Sequence, residues 1–159
     1  LRVFACSREA VIHAESPRVP EMLDREREAG LLTVDYYAKL QGKAERIKLD
    51  LLAFLVEQRR QGRVVAGYGA AAKGNTLLNY SGVRPDLVSF VCDAAPSKQG
   101  RFLPGSHIPI LPPSALDERK PDIVLILPWN LRDEIVTSQS RVRNWGARFA
   151  VAVPALEII

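Results

Sequence analysis

Apolar positions along this chain change their period, and each change marks a different kind of element. From Thr33 to about Arg60 they recur at Tyr37, Leu40, Ala44, Ile47, Leu51 and Phe54, steps of three and four that line one face of a long helix. Such a stripe is a packing face, expected to lie on a sheet or on a neighbouring domain. Ahead of it, Pro17 to Glu28 is polar and helix-compatible, with Ser16 as a start signal and Gly30 as a stop. Leu1 to Cys6 is a short β-type run without a hairpin partner in the segment that follows, so it is expected to join a sheet elsewhere.

Beyond Gly62, which ends the long helix, the helical period gives way to short apolar runs. Arg63 to Ala66 opens a first strand, and a helix from about Ala71 to Tyr80 follows. Val88 to Asp93 reads as a second strand closed by Ala94-Ala95-Pro96, and Ile108-Pro109-Ile110 as an extended piece before Pro112-Pro113. Ile123 to Leu127 shows no alternation at all. A run of that kind is buried on both faces, which is the signature of a parallel sheet. Asn130 is placed to cap a helix through roughly Arg143, and Phe149 to Val153 supplies a last strand before Pro154. The order predicts an α/β fold, a doubly wound, Rossmann-like, mostly parallel sheet preceded by a long N-terminal helix. Residues 1–61 form a strand and helical connector in this reading, and residues 62–159 the α/β domain proper.

The stretch with the most chemistry lies where the first strand meets its helix, Val64-Val65-Ala66-Gly67-Tyr68-Gly69-Ala70-Ala71-Ala72-Lys73-Gly74-Asn75-Thr76. Gly67, Gly69 and Ala72 fit a G-x-G-x-x-G/A spacing, in which small residues allow a tight turn, close approach of a diphosphate, and packing of helix on strand. Amides of the first helical turn then face the anion. A tight crossover with no ligand would use the same glycines. Lys73 and Asn75 favour a ligand, because a cation at a helix N-terminus suits a doubly charged diphosphate.

Composition narrows the classes. The chain has 159 residues, 47% hydrophobic and 25% charged, as expected for one ordinary globular core. Twenty-two Lys and Arg against eighteen Asp and Glu leave a net charge of +4, compatible with anionic small ligands and not calling for nucleic acid. The densest basic group, Arg59, Arg60 and Arg63, sits at a helix end, where cations favour the dipole. Two cysteines, Cys6 and Cys92, lie in apolar runs and form no C-x-x-C pair, which gives neither a disulfide framework nor a zinc motif. His13 and His107 are far apart in sequence, so no metal site is expected from them. There is no apolar run of the ~20 residues a membrane span requires and no signal-peptide layout. A cytoplasmic location is expected. The start inside an apolar run without an initiator Met points to a piece of a longer chain.

Ligands of such sheets collect beyond the carboxyl ends of the strands. There the first strand offers Gly67, Tyr68 and Gly69, the second Asp93, and the third Pro128-Trp129-Asn130. Asp93 stands about where a dinucleotide enzyme places its ribose-binding acid, or it serves the turn before Pro96. Lys98, within Pro96-Ser97-Lys98-Gln99-Gly100, offers a second cation or a plain surface turn. Trp129 can stack on a flat ring or cap the core. Gly67, Tyr68, Gly69, Ala71, Lys73, Gly74, Asn75, Asp93, Lys98, Trp129 and Asn130 are therefore the candidate substrate-binding residues, and no catalytic or metal-binding residue is assigned. No Ser-His-acid, Cys-His or paired-carboxylate spacing is present. Three readings stay open on residues alone: a holder of an anionic nucleotide-type ligand, an NAD-type oxidoreductase domain using Asp93, and a domain whose turn only packs.

Gly67-Tyr68-Gly69-Ala70-Ala71-Ala72-Lys73-Gly74-Asn75-Thr76, Asp93-Ala94-Ala95-Pro96-Ser97-Lys98-Gln99-Gly100, Pro104-Gly105 with Ile108-Pro109-Ile110, and Leu127-Pro128-Trp129-Asn130 occur in this order. With them the chain resembles, over its whole length, the C-terminal domain of S-adenosylmethionine-dependent sugar C-methyltransferases. The resemblance implies a larger enzyme with a zinc-binding N-terminal piece and a central domain for S-adenosylmethionine, neither zinc nor methyl donor being held by this chain. It implies a nucleotide-linked 4-keto-deoxysugar as substrate, in a cleft between central and C-terminal domains. A base outside this chain would remove the proton beside the keto carbon, and the enolate would take the methyl group. Gly67 to Thr76, with Lys98, Trp129 and Asn130, would help hold the substrate. The chain alone is then expected to transfer no methyl groups, and, with its partner domains missing, to expose apolar surface and self-associate.

Overall fold

The structure is a computed structural model that describes residues 2–7, 9–10 and 16–159. It divides into two compact units, Leu1–Gly42 and Lys43–Ile159.

In the first unit, Arg2 to Ser7 carry no regular structure and are exposed. The strand expected over Leu1 to Cys6 is thus not formed in its described part, since a β-type run without a hydrogen-bonding partner has nowhere to place its backbone groups; Leu1 itself and His13 lie outside the described residues. Helix α1, Arg18–Glu28, matches the polar helix expected there, and none of its residues is buried. Its end is a left-handed Gly30 (φ 82°), past which Leu31 N–H donates to Glu26 O. The long helix is interrupted. Helix α2 covers Val34–Ala38, and after Lys39 helix α3 runs from Leu40 to Arg60. The aromatic and β-branched residues Val34, Tyr36 and Tyr37 are weak helix formers, and here they lie exposed.

The second unit is built on one six-stranded sheet in the order β3-β2-β1-β4-β5-β6, with β1 Val65–Tyr68, β2 Val91–Cys92, β3 Ile110–Leu111, β4 Ile123–Ile126, β5 Arg148–Val151 and β6 Glu157–Ile158. Strands β1 to β5 pair in parallel, and β6 adds an antiparallel edge. Every residue of β1 and β4 is buried. Alternate residues sort into two cores. Val65, Val91, Ile123 and Leu125 meet Leu51, Phe54 and Leu55 of α3 and Leu78 of helix α4, Ala72–Tyr80. On the other face Ala66, Tyr68, Val124 and Ile126 meet Leu116 of helix α5, Ala115–Arg119, and Ile135 of helix α6, Arg132–Ser138. The unalternating run Ile123 to Leu127 therefore reads as it does because helices cover both faces.

The apolar stripe is exposed at Tyr37 in α2 and at Leu40 at the start of α3, and becomes buried further along α3 at Leu51 and Phe54. Gly62 closes α3 with a left-handed turn (φ 71°), in which Arg63 N–H reaches back to Gln58 O at 3.0 Å and Gly62 N–H to Arg59 O at 3.0 Å. The helix expected from Asn130 to Arg143 is in three pieces: a 3-10 turn Trp129–Leu131, α6, and a second 3-10 stretch Ser140–Trp145. Asn130 lies inside the first turn and caps nothing with its side chain, because its carboxamide faces Lys73.

Candidate functional site

Between β1 and β4 the sheet order reverses: β2 and β3 continue on one side, β4 and β5 on the other. At such a point the loops beyond the strand ends diverge and leave a crevice. Here the chain leaves β1 at Tyr68, turns through Gly69 to Ala71, and enters α4. Gly69 adopts φ 85° and a Cβ on it would lie 2.6 Å from Pro128 Cδ, so a side chain is excluded twice, by backbone conformation and by contact. Gly67 and Gly74 are packing positions. A Cβ on the first would meet Val91 Cγ2 of β2 at 2.8 Å, and one on the second, in α4, would meet Leu127 Cβ just past β4 at 2.5 Å, so Gly67 leaves room for the Val91 side chain and Gly74 lets α4 sit close on the end of β4. Tyr68 points into the core beside α5 and α6, where burial pushes its phenol pKa up, with the Asp93 charge adding to the rise and Arg141 opposing it.

Ala71 is extended (φ −89°, ψ 149°) and gives α4 no side-chain cap. The first backbone amide to bond within the helix is that of Asn75, to Ala71 O at 3.0 Å, which leaves the N–H groups of Ala72, Lys73 and Gly74 in the first turn, where the helix dipole favours an anion. The Asn75 side-chain oxygen is buried without a hydrogen-bond partner.

Two clusters flank this turn. On the β4 side, Lys73 Nζ donates to Asn130 Oδ1 and stands 4.5 Å from the centre of the Trp129 ring. On the β2 side, Asp93 is buried with 7% of its surface exposed. Its Oδ1 accepts Ala95 N–H at 2.8 Å and its Oδ2 accepts Ala70 N–H at 2.7 Å and Lys98 Nζ at 3.1 Å. Burial acts to raise the Asp93 pKa, but the hydrogen bonds from Ala95, Lys98 and Ala70 outweigh it, and the carboxyl titrates below its ordinary range. The acid that sequence places at a ribose-binding position thus turns its oxygens onto the protein's own backbone. Gln99, which the sequence did not single out, donates from Nε2 to Asp93 O at 2.9 Å. Further along the same edge, Trp129, Asn130, Arg132 and Glu157 help line an open cleft of about 300 Å³, with Arg132 paired to Glu157 at 2.7 Å. Spacing gave no hint of it, because β6 and its Glu157 are too short a signal.

Pro104 and Gly105 lie against α4 from outside: Asn79 Nδ2 donates to Pro104 O at 2.9 Å, and a Cβ on Gly105 would collide with Asn79 Oδ1. Thus the motifs of the sequence, from the glycine turn to Leu127-Pro128-Trp129-Asn130, surround one helix. A family model of the C-methyltransferase C-terminal domain matches residues 1–154. The chain belongs to that family. It is also similar to C-methyltransferase NovU of Streptomyces niveus, 35% identical over 150 residues, which is 94% of this chain and 36% of the relative. The chain thus spans about a third of the length of the curated relative it matches. As a C-methyltransferase C-terminal domain it presents a cation, an indole and a carboxamide around a helix N-terminus. Among its described residues no group of three or more His, Cys, Asp or Glu comes together as metal ligands, and no helix is long and apolar enough to cross a membrane.

Proposed function

We propose that this doubly wound, Rossmann-like domain holds the substrate of an S-adenosylmethionine-dependent C-methyltransferase whose acceptor is a nucleotide-linked keto-deoxysugar. The observation that carries the reading is the position of Lys73: its ammonium sits at the first turn of α4, fixed between Trp129 and Asn130. An anion placed there gains from three sources, the turn amides, the helix dipole and a charge-assisted hydrogen bond. Trp129 offers its ring to a flat group next to that anion. Family membership supports the methyl-transfer setting. Proton abstraction beside the keto carbon and binding of the methyl donor fall to residues outside this chain. Zinc, as the family resemblance implies, is assigned to another part of the full-length enzyme. The domain works with its neighbouring methyltransferase domains, in the cytoplasm, and contacts neither nucleic acid nor membrane.

Calorimetric titration of thymidine diphosphate, NAD and S-adenosylmethionine into the chain tests this. The diphosphate is expected to bind, with affinity falling as salt rises, and S-adenosylmethionine is expected not to bind tightly. Tighter binding of NAD than of the diphosphate would overturn the reading.

A further inference from the structure

Ala71 N–H donates to Gly69 O at 2.8 Å, closing a three-residue turn with Ala70 at its centre. The N–H and C=O of Ala70 take no part in that bond. Both are held by side chains from beyond β2: Asp93 Oδ2 accepts the N–H at 2.7 Å, and Lys98 Nζ donates to the C=O at 3.0 Å. Lys98 and Asp93 close the triangle on each other at 3.1 Å. The segment that carries them is folded on itself, through Ala95 N–H to Asp93 Oδ1 at 2.8 Å, Lys98 N–H to Ala95 O at 3.0 Å and Gln99 Nε2 to Asp93 O at 2.9 Å. It is complete without a ligand.

We propose that Asp93 and Lys98 are a positioning pair: they grip Ala70 by its backbone N–H and C=O, one from each of the two peptides that flank it, and so fix the first turn of α4 and the origin of Lys73. This rests on the proposed reading of that turn as the anion site. Lys98 serves it in a second way. A bare carboxylate beside the turn would repel a diphosphate, and the ammonium cancels that charge while remaining bound to it. A lysine meant to contact the ligand would not have two of its three donors directed at protein oxygens.

The experiment is amide NMR on the ligand-free 159-residue chain, followed by titration with thymidine diphosphate. The Ala70 and Ala95 amides donate to the two oxygens of one carboxylate, so their shifts should move together with pH, at a midpoint below the ordinary carboxylate range. Lys98 and the phenol of Tyr68 are the ionisable neighbours of that carboxylate. Lys98→Met should raise the midpoint, speed hydrogen exchange at Ala70, and weaken diphosphate binding by about tenfold, because the turn is loosened and the Asp93 carboxylate beside it is left uncompensated. Lys98→Arg, which can still span both acceptors, should restore Ala70 protection, and the unfolding midpoints of both variants control for loss of fold. Saturating diphosphate should leave the shared titration intact. The proposal is overturned if the Ala70 amide is insensitive to that titration, if diphosphate abolishes it, or if Lys98→Met weakens binding while Ala70 stays protected. Absence of diphosphate binding to the wild type would sink the anion-site reading, and the ligand-free measurements would still decide the grip on Ala70.

Discussion

The two flanks of the turn between β1 and α4 use nearly the same parts to opposite ends. Each joins a lysine to a side-chain oxygen from the end of a neighbouring strand: Lys98 with Asp93 beside β2, Lys73 with Asn130 beside β4. On the β2 flank the acceptor is charged and buried, so the pair cancels and recruits backbone groups of Ala70 into a closed network. On the β4 flank the acceptor is a neutral, exposed carboxamide, so the ammonium keeps its full charge next to a helix N-terminus. Whether a lysine becomes structure or site is therefore set by its partner. A carboxylate uses the cation up in holding the fold, whereas an amide orients it and leaves it available.

The largest effect should come from a change that breaks both flanks at once. Gly69→Val forces a β-branched residue into left-handed backbone, at about 1–2 kcal/mol, and drives its side chain into Pro128, at about 1–3 kcal/mol for overpacking. Denaturant unfolding should show a loss on that scale, and diphosphate binding should vanish with it; an unchanged unfolding midpoint would mean the turn is not fixed as described. Next comes Lys73→Ala, which separates the flanks. Loss of a charge-assisted bond of about 1.5–3 kcal/mol predicts a tenfold to hundredfold drop in thymidine diphosphate affinity, with the unfolding midpoint nearly unchanged because the residue is not in the core. Equal affinities in the two proteins would remove the functional distinction between the flanks.

Which parts of this were legible in the sequence follows from how local each signal is. Ile123 to Leu127 and the helix end at Gly62 are readable because burial on both faces and a left-handed cap are written within a few residues. Helix α5 and strand β6 span five and two residues, too short for any period to emerge. The Leu1 to Cys6 run has strand-like composition, but a strand exists only through a partner. At the site the division is the same. The glycines announce the turn, yet Lys73 meets Asn130 only because β1 and β4 are parallel neighbours, with Tyr68 in register with Ile126. Nothing in the string says whether Asp93 faces a ligand or the amide of Ala70; that depends on a pairing across 23 residues.

A smaller effect belongs to the indole. Trp129→Ala should weaken diphosphate binding by a few-fold, since the cation–π contact that steadies Lys73 is worth about 0.5–1 kcal/mol at an exposed site. A nucleoside diphosphate should lose more affinity than inorganic pyrophosphate if the ring also stacks on the base. Equal losses for both ligands would confine Trp129 to orienting Lys73.

The smallest effect near neutral pH, and the one that isolates the closed flank, is acid sensitivity. Burial of Asp93 favours its protonated form, but the hydrogen bonds from Ala95 N–H, Lys98 and Ala70 N–H favour the carboxylate more, so its folded pKa lies below the unfolded one. A depressed folded value stabilises the protein at any pH above the unfolded pKa of about 3.9, and that contribution is lost as pH falls through the folded value. Asp93→Asn removes the ionisable group and leaves an amide that cannot accept from Ala70, Ala95 and Lys98 together. Unfolding free energies of wild type and Asp93→Asn should therefore differ by a constant amount between about pH 5 and pH 7 and converge below about pH 4. Lys73→Ala should run parallel to the wild type through the same window, because the acceptor of Lys73 is a neutral carboxamide and the substitution removes no carboxylate contact. Convergence in Lys73→Ala, or a wild-type advantage over Asp93→Asn that grows toward acid, would contradict the assignment of charge to the closed flank.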